Sequence, residues 1–87
     1  SVFNEKVYAD GHLSKKLKKG LMGLACAILA KCAWCIRSCI RDGRKEGVTK
    51  DEITEAINIA MVMNAGACWA HAGITMEVVD KSISKDK

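Results

Sequence analysis

The sequence predicts an all-α protein, a bundle of about four helices whose core is completed by oligomerisation. Three observations carry this expectation. Apolar residues recur at helical spacing along most of the 87 residues, and no stretch alternates long enough to make a sheet. The chain also lacks proline and has only four aromatic residues (two Trp, one Tyr, one Phe). Its apolar fraction of 49% lies at the upper end of the usual range. A chain this short closes one core, so residues 1–87 read as a single domain. One copy cannot hide that much apolar surface, and neighbouring subunits are expected to cover the remainder.

The elements follow in order. Residues 1–12 are mixed, with Asp10-Gly11 a turn signal. Ser14 suits a helix N-cap. Leu13, Leu17, Leu21, Leu24 and Ile28 then form a stripe facing the core, with lysines opposite. From Met22 onward the segment is apolar almost all round, which predicts burial on several sides. No glycine or proline separates Ala30 from Cys32, so periodicity leaves open whether the helix continues or a new one starts. The segment from Cys32 to Glu46 is helical in either case. Gly47 fits the left-handed position that ends a helix. Thr49 and Glu52 form a capping box, and Val48 with Ile53 a hydrophobic staple, for a helix starting at Lys50. Asn64-Ala65-Gly66 is expected to interrupt that helix. A final helix would cover about Ala67–Ser82, with residues 81–87 as a frayed polar tail.

Composition narrows the function classes. No run reaches the roughly 18–20 apolar residues of a membrane span. The longest, Leu21 to Ala30, has no leader-peptide context, so no membrane partner is expected and the predicted location is cytoplasmic. Five cysteines, an odd number, do not fit the paired framework of a small secreted domain. The net charge of +4 comes mainly from Lys15-Lys16-Leu17-Lys18-Lys19 and from Arg37, Arg41, Arg44 and Lys45. Without a recognition motif these read as solvated helix faces, and no nucleic-acid partner is expected.

The chemistry concentrates in Cys32-Ala33-Trp34-Cys35 and in Cys39 one turn later. On a helix the three sulfurs share a face. A Cys-x-x-Cys pair can cycle between dithiol and disulfide, and a helix starting at Cys32 would favour the thiolate through its N–H groups and dipole. The third thiol raises a metal site as the rival. Zinc commonly takes four ligands, and neither Cys26, Cys68 nor His71 supplies the second half at a usual spacing. The iron–sulfur pattern is also missing. Redox chemistry is therefore preferred, with no cofactor and no metal called for. Cys26 and Cys68, isolated in apolar stretches, are expected to pack as small hydrophobes. His71, between alanines and without a carboxylate partner, reads as a packed or interface histidine. His12 reads as solvated.

The order of these parts resembles the alkylhydroperoxidase D / carboxymuconolactone decarboxylase superfamily. The resemblance runs from Asp10-Gly11-His12-Leu13-Ser14 through Leu21–Ala30 and Cys32-Ala33-Trp34-Cys35-Ile36 to Gly47-Val48-Thr49-Lys50-Asp51-Glu52-Ile53-Thr54-Glu55-Ala56. It spans about Asp10 to Val79. It implies an oligomer, commonly a trimer or hexamer, and thiol peroxidase or disulfide reductase chemistry. By that resemblance the substrate is a peroxide or a disulfide, and Cys35 would attack the peroxide oxygen and pass through a sulfenic acid. Cys32 would resolve it, and an external dithiol or protein reductant would restore the pair. Decarboxylase activity is the lesser inheritance, because that branch generally lacks the cysteine pair.

Two family positions differ. The active-site glutamate falls on Gly20, and the histidine on Cys39. Those groups assist proton transfer, a contribution of roughly 10²–10⁴-fold in rate, so impaired activity is expected. Cys39 instead offers an alternative resolving thiol. The competing expectation is a non-catalytic helical oligomer whose cysteines pack or bind metal.

Overall fold

The computed structural model describes residues 1–85. Helix α1 spans Val2–Tyr8, α2 Gly23–Leu29, α3 Ala33–Lys45 and α4 Lys50–Lys85, and a π-helical segment, Lys16–Met22, runs directly into α2. The described residues contain no strand, and the predicted all-α class of about four helices holds.

Helix α1 is an addition to the expected elements. The Ser1 hydroxyl caps it by accepting the Asn4 N–H at 3.2 Å. It buries no residue of its own and is held from the next element. Lys18 Nζ donates to the carbonyls of Val7 at 3.1 Å and Ala9 at 2.8 Å, groups that the end of a short helix leaves unpartnered. Lys19 Nζ lies 4.4 Å from the Tyr8 ring centroid, a cation–π distance.

Ser14 caps the following helix as expected, its Oγ accepting the Leu17 N–H at 3.1 Å. The helix then widens, and the Gly23 N–H reaches back five residues to the Lys18 carbonyl. This changes the register of the leucine stripe. Leu24 is buried, and Leu21 and Ile28 pack against it, whereas Leu13 and Leu17 remain exposed. The predicted stripe therefore faces the core only from the wide turn onward. Gly20 lies buried within that turn. Helix α3 crosses it so closely that a Cβ on Gly43 would stand 2.8 Å from the Gly20 Cα.

The break left open by periodicity occurs at Lys31, whose φ of +55° reverses the chain so that α2 and α3 form a hairpin. At the far end of α3, Gly47 takes φ +88°, the left-handed end predicted for it, and Arg44 Nη1 donates to the Val48 carbonyl at 2.6 Å. Both bonds of the capping box form: Thr49 N–H to Glu52 Oε1 at 2.8 Å and Glu52 N–H to Thr49 Oγ1 at 3.1 Å. Val48 is buried and Ile53 packs on the core. The centre of that core is Leu24, Cys39 and Ala56, ringed by Leu21, Ile28, Ile36, Ile40 and Ile53.

The expected interruption at Asn64-Ala65-Gly66 does not occur, and α4 continues unbroken to Lys85. A glycine inside a helix costs only about 1 kcal/mol relative to alanine, and Ala65 and Ala67 flank Gly66 with no proline to stop the helix. The expected tail is likewise helical from Lys81 to Lys85, and residues 86–87 lie outside the described residues. Ala60 is the last buried residue, and from Met61 to Ser84 every residue is exposed. The radius of gyration of 18.6 Å exceeds the roughly 12 Å of a compact chain of this length, because the distal part of α4 projects from the bundle.

The lysine run stays at the surface, as expected, but its members also pair with the fold, and Lys19 alone of the three paired lysines is largely covered. Lys15 pairs with Glu46 at 3.7 Å, Lys16 with Glu52 at 3.2 Å and Lys19 with Asp42 at 3.8 Å.

Candidate redox site

Cys32 is the N-cap of α3, with extended backbone, and its sulfur accepts the Cys35 N–H at 3.2 Å. The left-handed turn at Lys31 is what lets a new helix start at this residue. The first N–H groups of α3 and the positive end of its dipole therefore bear on the Cys32 sulfur. Cys32 and Cys35, with Cα atoms 5.2 Å apart, form a disulfide. Cys35 is exposed and Cys32 half-buried.

Cys35 opens onto a cleft of about 410 Å³ between α2 and α3, roofed by α1. Asn4 and Tyr8 come from α1, Cys26 and Ala30 from α2, and Trp34, Cys35 and Cys39 from α3, with Lys19 between. Lys19 is the fixed charge of this space. Its side chain is only 14% exposed, held between the Tyr8 ring and the Asp42 carboxylate. Asp42 is also bonded by Arg41 at 3.0 Å. That bond, with the nearby cations, holds its carboxyl below the usual range.

Cys39 lies at the inner wall, buried in the core. Burial raises its thiol pKa above the ordinary value, and the nearby Lys19 opposes that rise without cancelling it. The thiol is thus neutral at pH 7 and does not supply a histidine's proton transfer. Gly20, at the family's glutamate position, is a packing glycine. A Cβ there would stand 2.5 Å from Val48 Cγ2 and 3.1 Å from the Gly43 Cα, so this close crossing excludes a carboxylate side chain. The carboxylate's absence and the tight α3 crossing are one feature.

The structure brings together Cys32, Cys35 and Cys39 and leaves other candidates apart. Cys68 and His71 are exposed on the projecting part of α4. The expected packing of Cys68 does not occur in one copy, because no described residue covers that face. The His71 ring Nδ1 lies 2.8 Å from the Ala67 carbonyl of its own helix. His12 is exposed, as expected. Cys26 is also exposed and not packed away, because it lies on the cleft side of α2. Among the described residues, no three His, Cys, Asp or Glu side chains are grouped to hold a metal ion. Sequence reasoning missed Tyr8, Lys19 and Cys26. Lys19 was hidden in a run of like charges, and nothing in the α1 sequence marked it as a roof.

A helical bundle with a Cys-x-x-Cys pair opening one helix of a hairpin has the architecture of the alkylhydroperoxidase D-like superfamily. The chain belongs to the carboxymuconolactone decarboxylase family, whose model matches residues 2–74. It is 43% identical over 75 residues to a Paracoccus denitrificans protein named "uncharacterized protein 4 in cox locus", covering 86% of this chain and 67% of that one. A crystal structure of a protein from Methanobacterium thermoautotrophicum superposes with a TM-score of 0.75 at 29% identity, covering 83% of this chain and 80% of the other.

Proposed function

We propose that this protein is a thiol–disulfide oxidoreductase of the alkylhydroperoxidase-like type, with Cys35 attacking and Cys32 resolving. The observation that carries this is the Cys32–Cys35 disulfide at the start of α3, with Cys35 facing a cleft that holds a fixed cation. The Cys35 thiolate attacks one peroxide oxygen, the O–O bond breaks, and the distal oxygen leaves as water or an alcohol after taking a proton. Cys32, whose thiolate the helix start favours, then attacks the Cys35 sulfenic sulfur, releases water and closes the disulfide. An external dithiol or protein reductant returns both sulfurs to thiols. With Gly20 and Cys39 at the family's proton-transfer positions, the rate is low for this class. Cys39, one turn from Cys35 but buried, contributes only a minor share of resolution when Cys32 is absent.

The cycle belongs in a reducing, cytoplasmic setting, and the described helices include none long and apolar enough to cross a membrane. The working unit is a homo-oligomer, a trimer or hexamer, supported by the bare apolar face of distal α4, including Trp69 and Ile74.

The test is thiol counting on reduced protein with one equivalent of peroxide, followed by disulfide mapping. Wild type should lose two thiols and yield Cys32–Cys35, and Cys35→Ser should lose none rapidly. Unchanged peroxide consumption in Cys35→Ser would overturn the assignment. A second reading, a non-catalytic helical oligomer, is favoured by the lack of a carboxylate or imidazole at Gly20 and Cys39. Inert thiols in wild type would establish it.

A further inference from the structure

Cys26 takes no part in the cycle above, yet it opens on the same cleft as Cys35. The Lys31 reversal folds α2 back against α3, and the pairing of the two helices can be read from their close contacts. Cys39 Sγ lies 3.4 Å from where a Cβ would stand on Gly23. One turn further along α2 is Cys26, and the antiparallel partner moves back one turn along α3, toward Cys35. Cys26 thus faces the stretch of α3 between Cys39 and Cys35. Cys26 also bears electrostatically on the Cys39 thiol, which agrees with this placement. The two neighbours of Cys35 differ in one decisive respect: Cys26 is exposed and Cys39 is buried. A thiolate formed at Cys26 keeps its hydration, whereas one formed at Cys39 loses it.

We propose that Cys26 is an exchange thiol for the Cys32–Cys35 disulfide, making the site a three-cysteine relay. This rests on the redox reading of the pair. The Cys26 thiolate attacks Cys35 Sγ, the Cys26–Cys35 bond forms, and the Cys32–Cys35 bond breaks. Cys32 departs with the electron pair and takes up, through solvent, the proton that Cys26 gave up. Nothing is oxidised or reduced overall. Attack falls on Cys35 because Cys35, and not Cys32, lines the cleft. Cys32 is the suited leaving group, since its sulfur already accepts the Cys35 N–H at 3.2 Å and sits at the positive end of α3. The exchanged disulfide joins α2 to α3 across the cleft and leaves Cys32 as the free thiol.

The test equilibrates the full chain in a glutathione/glutathione-disulfide buffer at pH 8, so that disulfide formation does not depend on peroxide activity. Acid quenching, alkylation and peptide mass spectrometry follow. Wild type should contain Cys26–Cys35 beside Cys32–Cys35. In Cys32→Ser, verified as folded by circular dichroism, Cys26–Cys35 should be the main intramolecular disulfide, and Cys68→Ser should match wild type. A Cys32→Ser protein containing Cys35–Cys39 alone, or only glutathione adducts, would overturn the proposal. Peroxide consumption measured on the same wild-type preparation reports separately on the peroxidase reading. Its failure would leave the exchange result standing or falling on its own.

Discussion

The chain divides at Ala60 into two regions of similar character and opposite fate. Before it, Leu24 is 1% exposed, and after it Ile74 is 56% exposed, although both are large aliphatic residues in helices. The difference lies in what surrounds them. Residues before Ala60 sit on helices that fold back on one another through the Lys31 reversal and the Gly47 turn. Among the described residues, the distal part of α4 has no such return and no helix to lie against. Apolar content therefore says that a segment needs covering, and chain reversals say whether the same copy can provide the cover.

This contrast can be broken most forcefully at Leu24. Leu24→Ala should cost about 2–5 kcal/mol, as for other buried leucines, whereas Ile74→Ala should leave the unfolding of dilute protein nearly unchanged. Urea denaturation of both checks the pair, and equal losses would show that distal α4 is packed in solution. Gly43→Ala comes next. Its Cβ would press on the Gly20 backbone at 2.8 Å, a conflict expected to cost about 1–3 kcal/mol and to appear as a lower melting temperature.

The distal region has its own readout, which is mass. Trp69→Asp should lower the molar mass found by light scattering without lowering the helical signal of the bundle. A smaller effect is expected at the capping box, where Thr49→Ala should cost about 1 kcal/mol in the same urea experiment.

The weakest effect is acid sensitivity, and it belongs to the compact region. Asp42 is held low by its bond to Arg41, and Glu52 by the Thr49 N–H and Lys16. A carboxyl lowered in the folded state binds its proton less readily than in the unfolded chain. Its stabilisation is therefore present above the ordinary carboxylate range and is lost as pH falls through the lowered values. The urea midpoint should drop between pH 7 and pH 3, and Asp42→Asn should narrow that drop.

Much of the compact region was legible in the residues. Gly47, Thr49 and Glu52 act through local backbone chemistry, and each behaves as its spacing implies. The Cys-x-x-Cys pair was legible too, but the helix break that places Cys32 at the start of α3 was not. It depends on a lysine at positive φ, a conformation unusual for a residue with a Cβ. The leucine stripe misled at Leu13 and Leu17, because periodicity assumes a constant turn and the turn widens after Lys16. The places of Lys19 and Cys26 were misjudged for a related reason. Their placement depends on how α1 and α3 close over them, a tertiary fact that no local pattern carries.

The wide turn has a consequence for how this sequence can change. A π-turn acts as a phase step, with one residue more per turn than the α-helical ladder needs. Deleting a single residue between Gly20 and Met22 would restore the α-helical ladder and leave the faces on either side nearly in register, because five α-steps of about 100° turn the chain about as far as six wider ones. The same deletion in a plain α-helix would rotate one side by about 100°. Lys18 would therefore stay near the α1 carbonyls and Lys19 near Tyr8 and Asp42. The segment tolerates the loss of one residue better than the regular helices around it.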